Sequence, residues 1–525
     1  MCAEVYSVGE PYRLSGHRIV FTNWYYVRPG TFGWYDEKGQ CVTVKGAQGP
    51  LEARMKSFDC PWGIRLSVKN ALRSGPILKA ERPWEEGGAA IITIIKEGSL
   101  YRAWGNTGWG DLKERGERYF CYFESKDGIH WERPNCGVVE YGGNRNNNLL
   151  DNKGGTVFID PSAPVSERYK WISIDHFTRE EYEEYCQRRP DAVDPRYRIT
   201  DKYFLGVRGA VSPDGIHWTI LPEPLVMMYS DTQIVAYYDT FLKKYVAYFR
   251  DWMIGKQREE ATDDTPEEKA IKWQRWISIG RRAIGRGETS DFRNFPLSEL
   301  IVEPSPEWPP YQVLYTNCKT TIPGAPDHHL MFPAVWDTAD DTTHIRVLSS
   351  HDGKIWNYIP GAPILVTASF GEWDGGCVFA SPNLIELPNG DFALPYNGFN
   401  VPHKYPRRRA RRACGYALWP KGRLVALEAP EKGEFSTVAV IPPGDKLLIN
   451  AVTKRAGYIL VEAADLAGKP IPGREFENAV PIFGDQHKTL VVWKGHNNLG
   501  IEAGEGVILR FKLEKASIYA LEFEK

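Results

Sequence analysis

The chain has 525 residues, of which 42% are hydrophobic and 25% charged, and its net charge is −2. That length exceeds one ordinary core, so two domains are the first expectation. The near-neutral balance gives no general field for nucleic acid, and no apolar run approaches the ~20 residues of a membrane span. Aromatics reach 13%, with 18 Trp and 27 Tyr, which suits packing between sheets or stacking on sugar faces. Nine cysteines are scattered without a C-x-x-C pair and read as free thiols of a reducing compartment. Glu4, Glu10 and Arg13 interrupt anything resembling a leader. A cytoplasmic location is therefore expected, with secretion the alternative if a leader has been removed.

Residues 1–83 hold a few short strand-like runs, Arg18–Phe21, Cys41–Val44 and Gly63–Val68. They are too few to fold alone and are expected to pack on the rest of the protein.

From residue 84 a pattern repeats. Ser125-Lys126-Asp127-Gly128-Ile129-His130-Trp131 recurs as Ser212-Pro213-Asp214-Gly215-Ile216-His217-Trp218 and as Ser350-His351-Asp352-Gly353-Lys354-Ile355-Trp356. A worn copy runs from Thr289 to Phe295. Ser-x-Asp-Gly is turn chemistry: the short polar side chains accept from nearby backbone N–H groups, and Gly takes positive φ without strain. Each copy follows a strand-like run, so it predicts a hairpin turn. A second hairpin recurs upstream, in Thr156–Asp160 with Arg168–Ile174 and in Ile234–Asp239 with Lys244–Phe249. Two hairpins in series make a four-stranded antiparallel unit, and repetition of such a unit predicts a β-propeller. Five blades are expected, over 84–135, 148–222, 226–297, 311–360 and 364–428. Thr178–Arg198 and Gln257–Trp276 read as helical insertions between strands. The basic run Arg407–Arg412 reads as a solvated loop or an anion contact.

From about residue 429 short strands follow at sandwich-like spacing. The fold class expected is thus all-β, a five-bladed β-propeller at 84–428 with a β-sandwich at 429–525.

The first strands of propeller blades converge on one funnel. Acids near their starts are Glu85 and Glu86, Asp151, Asp231, Asp327, and the pair Glu372 and Asp374. Several carboxylates in one pocket suit glycoside hydrolysis, which needs a proton donor together with a nucleophile or base. The expected catalytic set is Asp231, Glu372, Asp374 and Asp251, with Asp251 stabilising the developing positive charge. Expected sugar contacts are Glu86, Asp151, Gln233, Arg250, Tyr315, Asn317, Asp327, His329, Trp104 and Trp109. Asp327, His328 and His329 are also metal-ligand types, but adjacent histidines rarely converge on one ion; no metal or cofactor is expected.

The layout resembles the five-bladed furanosidase-type glycoside hydrolases of families 32, 43, 62 and 68. The C-terminal part resembles family 32, and Glu124–Pro134 followed by Asn146-Asn147-Asn148 is similar to bacterial family-32-like proteins. The resemblance implies a hydrolase acting on a carbohydrate substrate. The chain departs from family 32 in lacking Asn-Asp-Pro-x-Gly and Glu-Cys, and Arg250-Asp251 lacks the following proline. Fructose specificity and individual roles therefore do not carry over. A sugar-binding propeller without catalysis, or a phosphorylase or lyase on the same scaffold, stands as the alternative.

Overall fold

A computed structural model describes residues 11–29, 34–35, 41–42, 61–107, 118–151, 153–194, 197, 204–253, 265, 281–405 and 410–525. The protein is nearly all-β, as expected. The first expected insertion contains the α-helix Arg179–Arg188, opened by a capping box in which Thr178 accepts from the Glu181 N–H and Glu181 reaches back to Thr178. Apart from Thr265, the second expected insertion lies outside the described residues. Among the described residues no helix is long and apolar enough to cross a membrane.

Five antiparallel meanders follow one another. The first comprises Ala89–Glu97, Leu100–Thr107, Phe120–Ser125 and Leu149–Asp151. The second comprises Thr156–Ile159, Tyr169–Phe177, Phe204–Ser212 and Thr219–Ile220. The third comprises Val235–Asp239, Lys244–Met253, Arg281–Thr289 and Glu299–Val302. In the fourth, each of four passes is broken in two. The pieces are Gln312–Leu314 and Lys319–Ile322, Ala325–Met331 and Ala334–Asp337, Thr342–Ile345 and Leu348–Ser350, then Asn357–Tyr358 and Leu365–Val366. Pairing of the second and third passes keeps one register across the break, since Ala334 faces Ile345 and His329 faces Ser350. The fifth comprises Cys377–Ala380, Phe392–Phe399 and Arg412–Trp419, and its fourth strand is Leu72–Leu78. Strand membership thus differs from the expected limits at both ends. Leu365–Val366 completes the fourth meander, and the supposed N-terminal segment supplies the outer strand of the fifth.

Hydrogen bonds link each meander to the next and the fifth to the first. Val157 N donates to Thr93 Oγ1 at 3.1 Å, Thr156 Oγ1 to Ile234 O at 2.5 Å, and Ser381 Oγ to Ile91 O at 2.8 Å. Thr343 Oγ1 and Val378 O, 2.7 Å apart, tie the fourth meander to the fifth. Gln233 links three meanders: its Nε2 donates to Ala380 O at 2.9 Å and its Oε1 accepts from Cys318 N at 2.6 Å. In an antiparallel meander, the start of the first strand, the end of the second and the start of the third share one end, called the rim below.

The Ser-x-Asp-Gly turns close the opposite end, after the third strands. Ser125 Oγ accepts from Gly128 N at 2.8 Å, and Asp127 Oδ1 accepts from both Ile129 N and His130 N at 2.8 Å. The copies at Ser212 and Ser350 repeat this pattern. Gly128, Gly215 and Gly353 have φ of 75°, 77° and 70°, a conformation that any Cβ would strain.

The C-terminal residues form one large sheet in the order Asp485–Leu490, Lys446–Ala464, Ile508–Glu524, Val425–Ser436 and Arg65–Val68, with Arg18–Ile19 also paired to Ile508–Glu524. Where only short strands were expected, Lys446–Ala464 is one long strand, bulged between Thr453 and Tyr458. Bulges bend a strand, and residues on both sides of this one, Leu447 and Ile449 as well as Ile459 and Val461, share a single core with Phe435, Phe511 and Trp493. The N-terminal residues therefore contribute to both halves of the protein.

Candidate functional site

Strand Lys244–Met253 alternates its faces. Tyr245 reaches the second meander, with its hydroxyl 2.6 Å from Asp160 Oδ2, whereas Tyr248 donates to Gly353 O of the fourth at 2.8 Å. Arg250 and Trp252 share the Tyr248 face and carry it to the rim. The buried Arg250 guanidinium forms an ion pair with Asp231, whose side chain is 38% exposed. Its Cζ lies 4.1 Å from the centroid of the Trp252 ring and 5.7 Å from that of Tyr229. The Arg250 N–H donates to Ser230 Oγ at 3.1 Å. Asp231 is thus a rim carboxylate beside a fixed cation and two rings, just ahead of the Gln233 junction.

A second cluster lies beside it. Arg282 pairs in register with Trp252, so both project from the same face. The Arg282 Cζ lies 4.7 Å from the Tyr315 ring centroid and 5.1 Å from that of Trp336. Tyr315 OH is 2.8 Å from His403 Nε2, and its ring is packed edge-on to Trp336. Asp341 fixes this corner, accepting from Trp336 Nε1 at 3.0 Å and from the Lys404 N–H. Phe370, 89% exposed, stands in the turn that also carries Glu372.

The structure brings together Asp231 and Arg250, with Tyr315 on the neighbouring meander. Glu372 and Glu86 are exposed rim residues. Asp151 ends the outermost strand of the first meander, three strands out from its first. Trp109 lies outside the described residues.

The remaining expected positions are occupied by structural duties. Asp251 faces away from Asp231 because successive strand residues alternate; it accepts from Ser298 Oγ at 2.9 Å and from the Trp252 N–H. Asp374 is buried, held by Arg73 Nε at 3.1 Å and Tyr396 OH at 2.9 Å. Both ends of the Gln233 amide are used between meanders. Asn317 is likewise buried, donating to Gln233 O at 2.9 Å and accepting from Lys319 N at 3.1 Å. Trp104 is fully buried between the first two meanders, its indole N–H 2.6 Å from Gly215 O.

Asp327 and His329 lie at the wrong end. The first pass of the fourth meander begins at Gln312, so the Asp-His-His run follows its hairpin turn and sits opposite the rim. There Asp327 anchors the N-terminal residues, accepting from Tyr26 OH at 2.7 Å and Tyr12 OH at 3.1 Å. Burial alone would raise its pKa, but the hydrogen bonds from His328, Tyr26 and Tyr12 hold it well below the usual carboxylate range. His328 Nε2 accepts from Val20 N, and its Nδ1 lies 3.0 Å from Asp327 Oδ1. His329 is buried away from any surface, and that burial drives its imidazole pKa well below the ordinary value.

Reasoning from sequence missed Arg282, Trp336, His403 and Phe370. The one available signal was Trp336, an aromatic in the strand Ala334–Asp337 at the same rim position as Trp252. Of the basic run, Arg412 opens a strand and donates to Asn106 O at 2.7 Å, while 407–409 lie outside the described residues.

No protein-family model matches the chain. An uncharacterized protein of Mycobacterium tuberculosis strain H37Rv is 25% identical over 138 residues, which are 23% of this chain and 45% of that protein. A matching uncharacterized protein of strain CDC 1551 / Oshkosh gives the same figures. The chain thus spans under half the length of the curated relatives it matches. Among solved structures, a glycoside hydrolase is 12% identical at a TM-score of 0.39, over 67% of this chain and 92% of that one. A family 32 β-fructofuranosidase of Bombyx mori is 9% identical at a TM-score of 0.37, over 85% and 94% of the two chains. A thermostable family 43 glycoside hydrolase is 13% identical at a TM-score of 0.35, over 65% and 90%.

Proposed function

We propose that the five meanders are the blades of a five-bladed β-propeller, closed by strand Leu72–Leu78, and that its rim is the active site of a glycoside hydrolase. One observation carries this reading: the Asp231–Arg250 ion pair, flanked by Tyr229 and Trp252, at the rim. A half-exposed carboxylate with a fixed cation and aromatic faces supplies what glycosidic cleavage asks of a protein: a nucleophile or base, a hydroxyl anchor and a sugar platform. Asp231 takes the role of nucleophile or base. Glu372, on the exposed turn ahead of the fifth first strand, is the proton donor, and Glu86 and Phe370 border the substrate. The sugar-ring preference proposed is furanosidase-like, from the resemblance of the repeat. The C-terminal sheet with its paired N-terminal strands is the accessory β-sandwich.

Turnover of a panel of aryl furanosides, aryl pyranosides and oligosaccharides tests the proposal. Asp231→Asn and Glu372→Gln should each lower kcat by about 10²- to 10⁴-fold, the usual worth of acid–base and nucleophilic groups. Equal, near-zero release by wild type and Asp231→Asn overturns the enzyme reading in favour of a binding propeller. Turnover that depends on inorganic phosphate would assign a phosphorylase instead.

A further inference from the structure

We propose that the rim takes a sugar carrying an oxyanion substituent, a carboxylate or a sulfate ester, and that Arg282 receives it. The inference rests on the reading of the rim as a sugar site.

Arg282 is set between two rings, with no carboxylate among the described residues in ion-pair contact. Its Cζ lies 4.7 Å from the Tyr315 ring and 5.1 Å from the Trp336 ring. Its Nη1 is buried and makes no hydrogen bond. Arg281 likewise has a buried Nε without a hydrogen bond, but it donates to Gln312 O at 2.8 Å, and Arg250 has Asp231. The nearby acid is committed elsewhere, because Asp341 spends one oxygen on Trp336 Nε1 and the other on the Lys404 N–H.

A second cation faces the same rings: Lys404 Nζ lies 5.4 Å from the Trp336 centroid and 6.0 Å from that of Tyr315. A partly desolvated guanidinium nitrogen without an acceptor is costly. An anion at Arg282 relieves that cost. Planar, forked donors on a guanidinium suit the two oxygens of a carboxylate or sulfate. The Tyr315 and Trp336 rings hold that fork in place. The cluster adjoins Asp231 through the Trp252–Arg282 register pair. One ligand can therefore place its anionic substituent at Arg282 and its glycosidic bond near Asp231.

Calorimetric titration of the full chain tests this with four probes: D-galacturonate, D-galactose 6-sulfate, D-galactose and inorganic sulfate. At least one of the two anionic sugars should bind about tenfold or more tighter than galactose, a difference of about 1.4 kcal/mol. The two anionic arms tell carboxylate from sulfate. Arg282→Gln should bring anionic-sugar affinity down to the galactose level, and Arg282→Lys, which keeps charge without the stacked plane, should fall between. Asp231→Asn should keep the anionic preference while losing turnover.

Equal affinity of wild type for all three sugars overturns the proposal, as does an unchanged preference in folded Arg282→Gln. Inorganic sulfate binding as tightly as both anionic sugars also overturns it, because the sugar then adds nothing. If Arg282→Gln does not fold, the wild-type comparison decides alone. Anionic preference without cleavage of any acidic or neutral glycoside sinks the hydrolase reading and leaves this one standing. Cleavage confined to neutral glycosides, without that preference, does the reverse.

Discussion

Arg73 Nε lies 3.1 Å from Asp374 Oδ2, joining residues 301 positions apart in sequence. Arg73 sits on the strand that completes the fifth meander, and Asp374 precedes that meander's first strand. The pair therefore fastens the outer strand of the fifth meander, supplied from near the N-terminus, to the residues ahead of its first strand, and Tyr396 OH gives the same carboxylate oxygen a second donor.

Asp374→Asn keeps the shape but weakens two charge-assisted or ionic contacts at a buried site. It should cost about 2–3 kcal/mol, toward the lower side of buried-pair losses because Arg73 is partly exposed. Urea unfolding measures it, and Arg73→Met in the same background should add little more. A stability unchanged by Asp374→Asn, with turnover abolished, would return Asp374 to the catalytic set.

Gln233 is expected to behave as a pin. Its amide satisfies the Cys318 N–H and the Ala380 carbonyl, and removing it orphans two backbone groups at the junction of three meanders. Gln233→Ala should cost about 2–4 kcal/mol, with Gln233→Glu nearly as harmful because a carboxylate cannot donate to Ala380 O. Thermal unfolding of the two variants checks this. A loss confined to KM, at unchanged stability, would make Gln233 a sugar contact instead.

The turns were legible in sequence because their chemistry is local: Ser, Asp and Gly within four residues fix the backbone whatever surrounds them. The rim was half legible. Asp231 and Arg250 lie 19 residues apart on one hairpin, and the strand pattern brings them together. The fourth meander was misread because Tyr315–Cys318 interrupts its first pass, with Cys318 at φ 41°. The seven-residue piece Ala325–Met331 of the second pass, with its Asp-His-His run, then looked like a first strand. The burial of Asp374 depends on a strand 300 residues away, which no local pattern announces. Arg282 sits in a Gly-Arg-Arg-Ala stretch that reads as a solvated strand end, and its two rings come from another meander.

The repeated turn makes the protein sensitive to acid. At Asp214, partial burial would raise the carboxyl pKa, but the His217 side chain and the His217 and Ile216 N–H groups hold it down to about 2. In the unfolded chain an aspartate titrates near ~3.9. A depressed folded value contributes stability that is present above ~4 and lost as pH falls toward 2. Asp214→Ala should cost about 1 kcal/mol at pH 7 and flatten this part of the acid limb. Unfolding midpoints at pH 7, 5 and 3 test both statements, and parallel profiles for wild type and variant would refute the second.

Lys319 should act at the other end of the scale. It is buried, with Nζ 3.4 Å from the centroid of the Tyr237 ring. Burial pulls its pKa down to about 7, Asp239 opposing and Arg286 adding to the shift. In the unfolded chain the same ammonium titrates near ~10.4. Between these values the unfolded chain holds more protons than the folded one, so stability rises with pH across that window. Below about 7 both states carry the charge and the full penalty persists. Lys319→Met fills a similar volume without charge. It should be the more stable protein near pH 7, by on the order of a few kcal/mol, and the two proteins should converge toward pH 10. Guanidinium unfolding from pH 6.5 to 9.5 measures both curves. A constant offset across that range would show that the lysine stays protonated in its buried site, with Tyr237 stabilising the charge instead of tolerating the neutral amine.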